Sequence, residues 1–178
     1  LKCTMCNSDF SNQFDGKTVT TKSLHNIPDI ERMVFLGGEP LMNSRYFRLL
    51  EKMNRSILHL TIITNGMFKL KNKWKDLLRE CKSIMFFISI DGYKEINNKT
   101  RIGSDWNIIE KNVEDIEKEW PVTFNTVLHK NNLRGIYDLQ KWIGDRKWQI
   151  NILTYPEHLR ISENDKQRIS KEFNQHFD

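Results

Sequence analysis

Arg32-Met33-Val34-Phe35-Leu36-Gly37-Gly38-Glu39-Pro40 passes from a short apolar run straight into two glycines, a carboxylate and a proline. An apolar run of this length bounded by glycine suits a buried strand. The glycines allow close backbone approach and unusual dihedral angles, and Pro40 stiffens the exit. Glu39 then presents a carboxylate at a strand end, a group suited to binding an ammonium. As a phosphate loop the segment fails, because an acidic residue would repel the anion and no Walker lysine follows. Taken alone, the same residues also fit a tight turn carrying a solvated glutamate.

Outward from this loop, strands alternate with helices. Asn43 or Ser44 can cap a helix with Phe47, Leu50, Met53 and Ile57 at helical spacing. Leu58 to Thr64 reads as a second strand ending at Asn65-Gly66, and Trp74, Leu77, Leu78 and Cys81 line one face of the next helix. Ile84 to Ile90 is a third strand ending at Asp91-Gly92. Trp106, Ile109, Val113, Ile116 and Trp120 recur at steps of three and four, with Ser104 or Asp105 as cap and Pro121 as breaker. Val122 to Leu128 supplies a fourth strand, Leu133 to Ile143 a helix and Trp148 to Leu153 a fifth strand. Ser162 begins a charged helix running towards Phe177, with Ile169 and Phe173 facing inward, whereas Lys17 to Ile30 gives only a weak first helix.

This alternation predicts right-handed crossovers and a parallel α/β sheet of at least five strands. Strands rich in Ile, Val and Phe predict burial on both faces. An open doubly wound sheet and a curved partial barrel both fit the pattern. In either, ligands sit beyond the carboxyl ends of the strands. The polar and glycine motifs fall there: Gly37 to Pro40, Thr64-Asn65-Gly66, Ser89 to Gly92, and Asn125 within the next strand. One shared site is the expectation.

A chain of 178 residues is long enough for one domain with a sizeable core. No stretch approaches the ~20 consecutive apolar residues of a membrane span, and because Leu1-Lys2-Cys3 leads directly into polar sequence, no signal peptide is expected. A cytoplasmic location is expected. The net charge of +5 favours acidic or nucleic-acid partners only weakly, because lysines such as Lys69, Lys71, Lys73 and Lys75 read as solvated helix faces. Three cysteines argue against a disulfide framework. Cys81 reads as a small buried residue in a helix.

Cys3-Thr4-Met5-Cys6 is different, since a three-residue step lets one turn of loop direct both thiols at a single metal. Thiolates suit zinc, copper(I) and iron–sulfur clusters, and also serve redox exchange. Structural zinc would need two further ligands, which Cys81, His25, His59 and His129 do not supply in any paired spacing. A thioredoxin-like pair normally starts a helix, for which Asn7, Ser8 and Asp9 are poor residues.

Together these pieces resemble the radical S-adenosylmethionine (SAM) superfamily over nearly the whole chain, which implies a partial (β/α)6 TIM-like barrel with its first strand truncated. In that family a Cys-x3-Cys-x2-Cys loop holds a [4Fe–4S] cluster. Cys3 and Cys6 match its last two cysteines as metal ligands, and the first would fall two positions before Leu1. The resemblance implies that Met5 packs towards the adenine and that Gly37, Gly38, Glu39 and Pro40 hold the SAM ammonium. It implies that Thr64-Asn65 belongs to the third-strand motif and that Ser89 and Asp91 approach the ribose and methionyl carboxylate. Asn125 would lie near the ribose and Leu153 near the adenine. Arg101 fits a residue reaching SAM or substrate, and equally a surface arginine in a loop.

The chemistry so implied is reductive cleavage of SAM to a 5′-deoxyadenosyl radical that abstracts hydrogen, with flavodoxin or ferredoxin as electron donor. Tyr93 through Trp106 and Tyr155-Pro156-Glu157-His158-Leu159 resemble the twitch-domain branch, frequent in phage and uncultured-microbe sequence. Residues 1–160 would form the radical SAM core and 161–178 a helix that begins a truncated extension. A peptide or protein substrate is the leading expectation. RNA or a nucleotide is a second, and a non-catalytic degenerate SAM-binding scaffold a third.

Overall fold

The computed structural model describes residues 1–5 and 30–174. Cys6, nearly all of the weak helix at Lys17 to Ile30, and Phe177 lie outside the described residues. The strands are β1 (Lys2–Cys3), β2 (Arg32–Phe35), β3 (His59–Thr64), β4 (Ser83–Ser89), β5 (Arg101–Ile102), β6 (Val122–Leu128) and β7 (Lys147–Ile152). The helices are α1 (Ser44–Lys52), α2 (Asn72–Arg79), α3 (Glu95–Thr100), α4 (Trp106–Glu117), α5 (Ile136–Ile143) and α6 (Glu163–Glu172). Five strands form a sheet of order β2-β3-β4-β6-β7, while β1 and β5 form a separate antiparallel pair. The α/β architecture with parallel strands is therefore as the sequence implies, and the sheet is not closed.

The described residues divide into two compact units. One is drawn from Phe14–Ile88 and Asn107–Thr123, the other from Leu1–Gln13, Ser89–Trp106 and Phe124–Asp178. In the first, β2, β3 and β4 pair in parallel with Phe35 opposite Ile62 and Ile62 opposite Phe86. Phe35, Leu60, Ile62, Ile84, Phe86 and Ile88 are buried on one face, with Leu50, Trp74, Leu78, Ile109 and Val113 also in the core. Side chains at alternate positions, Thr61, Ile63, Met85 and Phe87, are only half-buried. The burial expected on both faces is thus complete on one face and only partial on the other among the described residues, because the helices pack their apolar stripes against a single face.

Asn43 caps α1, its side chain accepting from the Arg45 N–H at 3.0 Å. The helix stops at Lys52 rather than continuing to Ile57. Arg55 Nη1 donates to the carbonyls of Leu50 (2.7 Å) and Glu51 (3.0 Å), satisfying helix-end acceptors, and its Nε and Nη2 pair with Glu80. Cys81 lies past the end of α2 and is half-buried, so it is neither helical nor fully interior.

In the second unit, Leu128, Ile136, Ile150, Ile161 and Ile169 form one apolar cluster against which Leu133, Trp148, Ile152 and Phe173 pack. Ser162 caps α6 by accepting from the Asp165 N–H at 3.1 Å. The segment between Ile90 and Trp106, which lacks a periodic apolar pattern, folds as α3 followed by β5. Gly92 permits this turn: a Cβ there would lie 2.4 Å from Ile96 Cγ2. Cys3 pairs across to Arg101, and the Thr4 N–H donates to the Thr100 carbonyl at 2.8 Å.

Candidate functional site

Glu39 opens a 3-10 turn at Pro40–Met42 and accepts the Leu41 N–H at 3.3 Å through Oε1. The Thr64 hydroxyl donates to the same oxygen at 2.7 Å, and the Asn65 N–H donates to Oε2 at 2.9 Å. The loop after β2 is thereby tied to the loop after β3. A carboxylate offers about four acceptor positions, so these three bonds leave one for a ligand. Burial pushes the Glu39 carboxyl above its ordinary value, opposed by the hydrogen bonds from Asn65, Thr64 and Leu41.

Gly37 and Gly38 are exposed beside Glu39, Gly37 at φ +139°, and no heavy atom lies within 4 Å of a Cβ placed at Gly38. Pro40 is buried. Gly66 has φ +76°, and a side chain there would press on Ile88 and Ile109. Asn112 donates to the Gly66 carbonyl at 2.8 Å, and the Gly66 N–H donates to Thr64 Oγ1 at 3.2 Å. Sequence reasoning passed over Asn112. Its signal was an amide set beside Val113 on the apolar stripe of α4, where a polar side chain needs a partner.

The other unit carries a second group. Asp91 is 1% exposed: its Oδ1 accepts the Val127 N–H at 2.7 Å and its Oδ2 lies 2.6 Å from Arg101 Nε. The Arg101 contact is an ion pair not aligned as a hydrogen bond. The Asp91 N–H donates to Asn97 Oδ1 (2.9 Å), and Asn132 donates to the Asp91 and Val127 carbonyls, both at 2.8 Å. Asp91 therefore presents no exposed oxygen to a ligand, and Ser89 is half-buried at the end of β4. Arg101 is buried, which removes the surface-loop alternative.

His129 is fully buried; its Nδ1 accepts the Asn131 N–H at 3.3 Å, leaving the proton on Nε2. Burial lowers its pKa, with Asp91 acting in the opposite direction and Arg101 in the same one. Asn125 is half-buried and accepts from Asn151 Nδ2 at 2.6 Å, so Asn151 is a further polar group that the sequence did not single out. Met5 is half-buried in the turn after β1, and Leu153 is buried just past β7, its N–H donating to the Leu128 carbonyl at 3.0 Å.

Against this geometry, the family model of the radical SAM superfamily matches residues 1–143. The chain belongs to the radical SAM superfamily. No curated protein matches it. Among solved structures it is similar to "Native anSMEcpe with bound AdoMet and Kp18Cys peptide", at 22% identity and a TM-score of 0.69 over 97% of this chain and 55% of that one. It is similar to Streptococcus suis SuiB bound to S-adenosylmethionine, at 19% identity and a TM-score of 0.68 over 98% and 41%. It is also similar to a domain of pyruvate-formate lyase-activating enzyme from Bacteroides vulgatus, at 18% and 0.61 over 82% and 96%. The radical SAM chain thus spans about half the length of the first two. At these identities the likeness is one of fold.

Superfamily membership makes this an enzyme fold and brings an iron–sulfur cluster into question. Among the described residues no group of three His, Cys, Asp or Glu stands together to hold a metal ion. Cys6 lies outside them, and Cys3 stands in the β1–β5 ribbon. Its Sγ lies 4.0 Å from Arg101 Nη1. A neighbouring guanidinium favours the thiolate form, the form that ligates iron–sulfur clusters. The donor chemistry at Cys3 fits.

Proposed function

We propose that this radical SAM chain binds S-adenosylmethionine at its strand ends and generates a 5′-deoxyadenosyl radical for hydrogen abstraction from a peptide or protein. The observation that carries this reading is the Glu39 carboxylate. It is fixed by Thr64, Asn65 and Leu41, keeps one acceptor position open, and stands beside exposed glycine backbone. A fixed acceptor of this kind suits the SAM ammonium, because its orientation cost is met by the fold before the ligand arrives.

The chain's other residues have separate tasks. Gly37 and Gly38 let the ligand approach the backbone. Ser89 and Asn125, the latter oriented by Asn151, offer hydrogen bonds suited to ribose hydroxyls. Met5 and Leu153 offer apolar contact for the adenine. Cys3 and Cys6 would hold two irons of a [4Fe–4S] cluster. When bound, that cluster supplies the electron that breaks the sulfonium carbon–sulfur bond, drawn from flavodoxin or ferredoxin.

A peptide or protein substrate is favoured by the peptide present in one similarly folded structure. The twitch-type extension stays part of the proposal on the sequence of Tyr155 to Leu159, as does a cytoplasmic location. The test is anaerobic reconstitution with iron and sulfide, followed by assay of 5′-deoxyadenosine with dithionite and SAM. The expected result is a [4Fe–4S] spectrum and SAM-dependent cleavage product. Lack of both would leave a non-catalytic SAM-binding scaffold.

A further inference from the structure

Arg101 is the one buried cation that touches a cysteine in the described residues. On one side its Nε sits 2.6 Å from Asp91 Oδ2, and on the other its Nη1 reaches Cys3 Sγ at 4.0 Å. Asp91 is itself held by the Val127 N–H, by Asn97 and by Asn132. A continuous set of contacts therefore runs from the end of β4 through one ion pair to the thiol. The β1–β5 ribbon already has backbone contacts, including Thr4 N–H to the Thr100 carbonyl. Holding the ribbon does not require a guanidinium. A guanidinium also places positive charge and an N–H donor at sulfur, and both are among the means by which a protein shifts the potential of an iron–sulfur cluster.

We propose that Arg101, anchored by Asp91, is a positioning residue that orients the Cys3 thiolate and raises the reduction potential of the cluster it ligates. This rests on the reading of Cys3 as a cluster ligand given above. The opposing charge of Asp91 acts across the guanidinium and weakens the effect without cancelling it, since Nη1 is the group at sulfur. A higher potential eases reduction by a low-potential one-electron donor of the flavodoxin or ferredoxin class.

The test compares the reconstituted wild-type protein with Arg101→Lys and with the charge-matched double variant Asp91→Asn/Arg101→Gln. Iron and sulfide content, thermal melting and an EPR-monitored redox titration are measured on each. With full cluster loading, the ratio of reduced to oxidised cluster at a fixed potential is expected to fall about tenfold in the double variant, ~59 mV for a one-electron couple. Arg101→Lys keeps the charge opposite Asp91 but is too short to reach both partners, so its potential falls by less while its melting temperature holds. This second variant decides the matter should the double variant unfold. Full loading with a wild-type potential in either variant overturns the proposal. A wild-type protein that takes up no cluster would instead overturn the reading of Cys3 as a ligand, a result distinct from a cluster of unmoved potential.

Discussion

Glu39 shows how one carboxylate can carry both a local structure and a binding role. Because burial raises its pKa above the ordinary 4.5, the folded carboxyl keeps its proton to higher pH than an unfolded glutamate. Its contribution to stability is therefore nil below the unfolded value and becomes unfavourable as pH rises through the folded one. SAM affinity runs the opposite way, since an ammonium needs the carboxylate. Calorimetric titration from pH 5 to 8 is expected to show weaker binding on acidification, with a midpoint above 4.5. Glu39→Gln should remove that dependence and weaken binding by about tenfold to a hundredfold, from the ~1.5–3 kcal/mol of a charge-assisted hydrogen bond. The strand–Gly-Gly-Glu sequence announced the carboxylate. Its partners Thr64 and Asn65 lie 25 and 26 residues further on, and only parallel pairing of β2 with β3 brings them to it.

At the scale of elements, periodicity placed the sheet's strands and most of the described helices to within a few residues, because these bury regular apolar faces. It failed where polar contacts set the geometry. The end of α1 is fixed by Arg55 bonding backwards to the helix carbonyls, which no apolar spacing reveals. The α3–β5 segment is built around the buried polar residues Asn97, Thr100 and Arg101, so it carries no apolar rhythm. Its tightest point is Gly92 against Ile96. Gly92→Ala is expected to destabilise by ~1–3 kcal/mol through overpacking, and Ile96→Ala in the same chain should recover part of that loss. Urea unfolding of the two single variants and the double variant measures the coupling; additive effects would place the clash elsewhere.

For the molecule as a whole, stability should respond to pH and to charge through the second unit. His129 holds its folded pKa below the ordinary 6.5 because burial disfavours the imidazolium. Its contribution is fully present above 6.5 and is lost as pH falls through that value towards the folded pKa. His129→Gln should flatten the melting temperature across this acid range. Arg101→Met, which strands the Asp91 carboxylate, should cost ~3–5 kcal/mol in urea unfolding. Charge neutralisation at both positions should cost less. The sequence could not pair Asp91 with Arg101, because nine residues of turn and short helix separate them and only the folded backbone closes that distance.

The uneven covering of the sheet has a consequence for how this protein can change. Along β3, β4 and β6 the positions packed beneath helices answer to volume, while the intervening ones face half-open space. Saturation mutagenesis along any one of these strands should therefore give a two-residue beat, with intolerance to size change read as lost abundance at one set of positions. At the other set abundance should hold while turnover and selectivity drift. The fold would then let substrate choice diversify on alternate residues of strands whose remaining residues keep the molecule together.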